Sequence, residues 1–167
     1  MIEPVSRPGA DPLTLDDFEP GQRFTTGTYA LEVAEIQAFA AQFDPQPFHL
    51  DAEAAKSSIF GGLVASGWHT AAITMRLLVT SGIPIAGGII GASGEIKWPA
   101  PARPGDVLQV HGEVIEITPS RSRPERGMVT TRNETRNQHG DVLQIMTARL
   151  VVPRRSAGPQ MSGTGSA

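Results

Sequence analysis

The sequence predicts a single α+β domain, an antiparallel sheet of about five strands curved around one long central helix. Three observations lead there. Segments of helical period occupy the first half of the chain and alternating segments the second, an order that favours α+β over βαβ architecture. One segment, residues 68–80, is apolar on nearly every side, interrupted by His69, Thr70, Thr74 and a single charge at Arg76. A helix without a polar face is a buried helix. Finally, 167 residues suit one domain and suffice to bury a real core.

Taken in order, residues 1–15 hold three prolines and a glycine among few apolar residues, and are expected to be a loosely held arm. A turn at Pro20-Gly21 leads into an alternating, β-rich segment over 22–29. The period changes over 31–43, where Leu31, Ile36, Phe39, Ala40 and Phe43 fall near helical spacing. Glu32 and Glu35 come early in that segment, where the helix dipole favours acids. Residues 52–58 make a short helical turn that Asp51 can cap. Small residues over 61–67 open the helix of 68–80, which stops at Ser81-Gly82 with Pro84 just beyond. From residue 87 the chain reads as sheet, with strands over 89–98, 107–117, 127–137 and 142–152. Gly91 and Gly94 mark bulges or close backbone approach. The cluster Pro99-Ala100-Pro101-Ala102-Arg103-Pro104-Gly105-Asp106 turns between the first two strands. Gln138-His139-Gly140-Asp141 joins the last two as a hairpin. The tail over 153–167 is rich in Ser, Gly and Pro and is expected to be disordered. A sheet can bury one apolar helix only by curling around it, so the domain over 16–152 is expected to be a hotdog fold.

Composition narrows the function. Fourteen basic and 17 acidic residues give a net charge of −3, and no basic block offers a nucleic-acid footprint. There is no cysteine, which excludes disulfides, thiolate chemistry and Cys-ligated zinc. No basic region followed by an apolar run marks a signal peptide, and no apolar run approaches the roughly 18–20 residues of a membrane span. A cytoplasmic protein that engages neither nucleic acid nor membrane is the expectation.

The chemistry concentrates in Phe43-Asp44-Pro45-Gln46-Pro47-Phe48-His49-Leu50-Asp51. Proline locks φ, blocks helix propagation and biases the residue before it towards extended geometry. Asp44 and Gln46 are therefore expected off any regular helix, with the chain turning to bring Asp44 round to His49. A carboxylate beside an imidazole is a proton-handling pair. Alone, Asp44 reads as a turn residue and His49 as a core histidine. The proline brace, the glycine loop ending at Gly67 and the element order together favour catalysis.

This stretch resembles the D-x-N-P-x-H-x-D signature of the MaoC-like hotdog hydratases, the (R)-specific enoyl-CoA hydratases. Ala65-Ser66-Gly67 is similar to their small-residue loop opening the central helix. Trp98 to Val107 looks like their P-V-x-x-G-D turn. The resemblance covers about residues 20–152. It implies that Asp44 and His49 hold and activate one water while the backbone N–H of Gly67 stabilises charge on a thioester oxygen. Histidine suits that task because its unperturbed pKa of ~6.5 lies near working pH. Burial against Phe43, Phe48 and the apolar helix is expected to lift Asp44 towards that range. Gln46, Ser66, Trp68 and Met75 are the implied substrate-binding residues. Gln46 stands where the signature has Asn, and Met75 where some hydratases carry a serine, which bears on acyl preference. The implied substrate is a coenzyme A thioester, with no metal or organic cofactor required. The implied assembly is a homodimer or a dimer of dimers.

Other residues have plainer readings. Asp51 serves better as a helix cap than as a catalyst, and Gln46 serves equally well to brace the turn. A metal site from His49, Asp51 and His69 lacks ligand spacing. His69, His111 and His139 have no comparable acid beside them. Arg76 reads as a snorkelling or interface residue. Arg121, Arg123 and Arg126 read as a solvated loop before a phosphate contact, and Trp68 and Trp98 as packing. Two further activities stay open: a hotdog thioesterase and a non-catalytic acyl-CoA binder. One thioesterase type needs a carboxylate on the central helix, and residues 67–81 contain none. A non-catalytic member would be expected to lose Asp44 or His49.

Overall fold

The computed structural model describes residues 11–155. Strand β1 (Arg23–Ala30) is followed by four helices: α1 (Val33–Phe43), α2 (Pro47–Leu50), α3 (Ala52–Lys56) and α4 (Gly67–Ser81). Four strands complete the chain: β2 (Gly91–Lys97), β3 (Val107–Pro119), β4 (Arg126–Arg136) and β5 (Val142–Pro153). They form one five-stranded sheet in the order β1-β3-β4-β5-β2, antiparallel throughout. The sheet packs on α4 through β1, β3 and β5. This is the hotdog arrangement the sequence predicts, and every expected strand is present.

Period-2 patterning places the core. Along β3, Leu108, Val110 and Val114 are fully buried, as are Val129 on β4 and Val152 on β5. From α4, Ile73, Leu77 and Leu78 meet them; burying each such side chain stabilises by roughly 1.5–3 kcal/mol. The Pro104-Gly105 turn needs glycine, because Gly105 has φ +86, a conformation other L-residues rarely adopt. Its N–H reaches Leu31 O at 2.8 Å, and Asp106 Oδ2 accepts from the N–H of Arg103 at 2.8 Å. The bulge expected near the β2 glycines occurs between Gly91 and Ser93, while Gly94 pairs regularly with Ala148.

Three expectations change. Helix α4 is not buried on all sides: Trp68, Met75 and Val79 are exposed, at 60, 42 and 64%. Apolar residues therefore cover its outer face as well as its core face. The expected loose arm tightens before residue 15. Leu13 bonds Pro84 O and Ala86 N at 2.7 and 2.8 Å, and Leu15 is buried in a single 3-10 turn over Leu15–Asp17. The tail also begins later than expected, since Pro153 still pairs with Arg126 in the sheet. Arg154 then bonds Asp16 at 3.0 Å and Arg155 pairs with Asp17. The rest of the expected arm and tail, residues 1–10 and 156–167, lies outside the described residues.

Candidate active site

Helix α1 ends at Asp44, whose φ −151 and ψ 67 leave helical geometry while its N–H still reaches Ala40 O at 2.9 Å. Pro45 cannot donate the next bond, and Gln46 is extended at φ −95, ψ 146. Pro47 then opens α2, the first helical position being the one where a missing N–H costs nothing. Asp44 and Gln46 thus lie off the helices, as expected, but His49 sits on the single turn of α2. Its ring is 5% exposed. Asp51 caps α3, its Oδ1 accepting from the N–H groups of Glu53 and Ala54 at 2.8 and 3.1 Å.

The bend delivers the pair. His49 Nε2 lies 3.3 Å from Asp44 Oδ2, while His49 Nδ1 lies 2.7 Å from the carbonyl oxygen of Val64. A carbonyl only accepts, so Nδ1 carries a proton, and Nε2 is the ring nitrogen that faces the carboxylate. Asp44 is held from two sides. The Ser66 hydroxyl donates to Oδ2 at 2.6 Å and the Gln46 amide to Oδ1 at 2.7 Å. These bonds reverse the expected shift. The Ser66 hydroxyl, assisted by the Gln46 amide and His49, keeps the Asp44 carboxyl below its ordinary range, and burial opposes them without prevailing. Asp44 is a carboxylate at neutral pH.

Both groups line a cavity of about 400 Å³ with Gln46, Gly67, Trp68, Thr70 and Trp98. Gly67 is the first residue of α4, where N–H groups lack intrahelical partners. Ser66 Oγ takes the N–H of Trp68 at 3.2 Å, whereas the Gly67 N–H makes no hydrogen bond among the described residues. Glycine is required there by packing: a Cβ would stand 2.7 Å from Trp98 Cε2. Trp68 meets the Trp98 ring edge-on at 5.3 Å. The site thus offers a carboxylate, an imidazole and an amide donor uncommitted among the described residues around one space, which is equipment for moving a proton beside a developing oxyanion.

Not every expected residue joins them. Ser66 is 1% exposed and lies behind Asp44 rather than on the cavity wall, so it positions the carboxylate instead of facing a ligand. Met75 lines a separate apolar cavity of about 80 Å³ with Phe24, Leu78 and Met146. Eight residues of helix, about 12 Å, separate it from Gly67. His69 is buried and stacked on Phe39 at 4.6 Å, and burial pushes its imidazole down despite Glu35. His111 lies in an outer groove with Arg136, His139 is exposed at the hairpin, and Arg121 and Arg123 are exposed in the β3–β4 loop. Sequence reasoning missed the Val64 carbonyl, because any residue could supply it. It also missed Trp98 as a wall, although the Pro99-Ala100-Pro101 turn beside it was a signal.

No helix among the described residues is long and apolar enough to cross a membrane. Residues 17–138 match the family described as MaoC like domain. The chain is 60% identical to a MaoC-like dehydratase from Rhodospirillum rubrum, whose crystal structure superposes with TM-score 0.85 over 87% of this chain and 99% of that one. It is 28% identical to the R-hydratase PhaJ1 of Pseudomonas aeruginosa, with TM-score 0.69 over 86% and 88% of the two chains. Over 80 residues, 48% of this chain and 50% of the relative, it is 35% identical to a 3-hydroxybutyryl-CoA dehydratase of Methylorubrum extorquens. With that match over most of its length, and with the proline-braced bend intact, the chain belongs to the MaoC-like dehydratase family.

Proposed function

We propose that the protein is a hydro-lyase that reversibly adds water to a trans-2-enoyl-CoA, giving an (R)-3-hydroxyacyl-CoA. The observation that carries this reading is the pair Asp44 Oδ2 and His49 Nε2, 3.3 Å apart, beside a Gly67 N–H that makes no hydrogen bond among the described residues. In the hydratase cycle the neutral ring and the carboxylate together hold and activate one attacking water. As its oxygen bonds to C3, His49 Nε2 takes one proton, and the imidazolium so formed stands beside the Asp44 carboxylate. The electron pair of C2=C3 moves towards the thioester oxygen, where Gly67 N–H supplies the stabilising donor. The proton then passes from Nε2 to C2, restoring the neutral ring. One imidazole serves both carbons, so the addition is to a single face. The dehydratase and R-hydratase relatives support the reaction class, and the cavity is large enough for a short acyl thioester.

We also place a second copy of this chain against the first. Strand β2 has one unpaired edge, and such an edge invites pairing. The exposed apolar side chains of α4 offer a second surface for it. The proposed partners are thus an acyl-CoA and a homodimer mate. Crotonyl-CoA mixed with the purified protein tests the chemistry. Loss of enoyl absorbance without free thiol is the expected result. Release of thiol would mean thioesterase, and an unchanged thioester would remove the hydratase reading. Light scattering tests the dimer, which a monomeric mass would contradict.

A further inference from the structure

The polar groups at the centre of the domain form one relay that leads to the cavity wall. Gln144 on β5 is fully buried, as are Thr74 on α4 and Thr135 on β4. The Trp98 indole Nε1–H donates to Gln144 Oε1 at 2.9 Å, and Gln144 Nε2 donates to Thr74 Oγ1 at 3.0 Å. The Thr74 hydroxyl lies 2.9 Å from Thr70 O and 2.6 Å from Thr135 Oγ1. One arrangement of protons satisfies every member: Thr135 donates to Thr74, and Thr74 donates to Thr70 O. The direction of the amide is forced, because an indole N–H only donates and must therefore meet the Gln144 oxygen.

This relay is a costly thing to bury unless it is complete, and its outer end is Trp98. That indole lies just past the edge strand β2, is 42% exposed, lines the Asp44–His49 cavity and rests on Gly67. Its other ring contact is Trp68, itself 60% exposed. The hydrogen bond that fixes the rotation of the indole is the one its N–H donates to Gln144 Oε1. Thr70, at the opposite end of the relay, also lines the cavity, and its N–H and hydroxyl donate to Ser66 O at 3.1 and 3.4 Å in the turn that carries Gly67.

We propose that Gln144 is a positioning residue of the active site. It clamps Trp98 over Gly67, and so sets where a thioester carbonyl can lie relative to the Gly67 N–H. It touches no substrate itself. The inference deepens the hydratase reading and rests on it for its kinetic part alone. A wall displaced by about 1 Å can cost as much as ~10²-fold in rate even when the change lies away from the chemistry.

The test begins from Trp68→Phe, in which Trp98 is the sole source of indole emission. Adding Gln144→Met keeps the side-chain length and removes the acceptor. The expected result is a shifted Trp98 emission with greater acrylamide quenching, together with kcat on crotonyl-CoA falling by about 10–100-fold and KM by less than about threefold. Trp98→Phe approaches the same bond from the donor side, without altering the buried amide, and decides the matter if Gln144→Met does not fold. It should lower kcat similarly, and Gln144→Met added to it should lower kcat no further. Unchanged emission and quenching in Gln144→Met would overturn the proposal. So would an undiminished loss of kcat from Gln144→Met in the Trp98→Phe background, which would indicate a general packing role. If wild-type protein leaves crotonyl-CoA untouched, the hydratase reading fails, while the emission arm still decides whether Gln144 holds the indole.

Discussion

Gly67→Ala tests the packing argument and the catalytic argument in one variant. The added Cβ would stand 2.7, 2.9 and 3.0 Å from three carbons of the Trp98 ring. Relief to the ordinary carbon contact of about 3.5 Å requires the indole or the start of α4 to move by roughly 0.8 Å. The helix is tied to the sheet by two bonds of Thr74 and the half-exposed indole by its one bond to Gln144, so the ring yields first. Overpacking of this kind costs about 1–3 kcal/mol, and the better helix propensity of alanine returns up to ~1 kcal/mol. A net loss of about 1–2 kcal/mol lowers Tm by about 2–8 °C for a chain of this size. The catalytic loss is larger. With a methyl beside the donor and the wall displaced, a thioester oxygen loses its bond to the Gly67 N–H, and removal of one oxyanion donor costs about 10²–10³-fold in kcat. Calorimetry and crotonyl-CoA kinetics on the same preparation read both numbers. A fall in Tm with kcat within about threefold of wild type would remove Gly67 from the mechanism. An unchanged Tm would refute the packing of Trp98 on its Cα.

Asp44→Asn and His49→Ala should each reduce turnover by about 10²–10⁴-fold with Tm near wild type, and near-normal kinetics in either would exclude the pair. Ser66→Ala removes both a helix cap and a charge-assisted bond to Asp44, for a loss of about 1–3 kcal/mol at pH 7 in urea melts. Because the Asp44 carboxyl is depressed in the folded state, its contribution to stability is complete above the unfolded value of ~3.9 and is lost as pH falls through the folded value. The gap between Ser66→Ala and wild type should therefore narrow as pH falls below the unfolded carboxyl value of ~3.9, and a constant gap would show that the bond to Asp44 is not what Ser66 contributes. Asp51→Ala should cost about 1 kcal/mol by denaturant titration with kcat within about twofold of wild type, since Asp51 caps α3 and does not line the cavity; a large kinetic loss would reassign it.

The strands were legible because a half-buried sheet imposes period two, and the alternation along 107–117 is strong. The bend was legible because two prolines leave the backbone few choices. What failed to show was distance along the chain. Ser66, 22 residues from Asp44, reverses the direction in which that carboxyl titrates, and nothing local to residues 43–51 announces it. Met75 looked like a pocket residue because it stands where some hydratases carry a serine, but two turns of helix from Gly67 carry it to another cavity. Helix α4 looked wholly buried because an apolar side chain has the same appearance whether it faces this core or an open surface. Gln144 carries no signal of its own within the strand of 142–152, and only the fold brings it to an indole 46 residues earlier.

That last separation has a consequence for how the protein comes into being. The groups proposed to act on substrate all precede residue 100, yet the support beneath their wall arrives with the final strand. A chain still emerging from its ribosome can contain Asp44, His49 and Gly67 and remain inert, because Trp98 has nothing to anchor it until β5 zips onto β4 and β2. The onset of activity during refolding should therefore coincide with docking of β5 beside β2, making turnover a clock for a late, non-local pairing in the sheet.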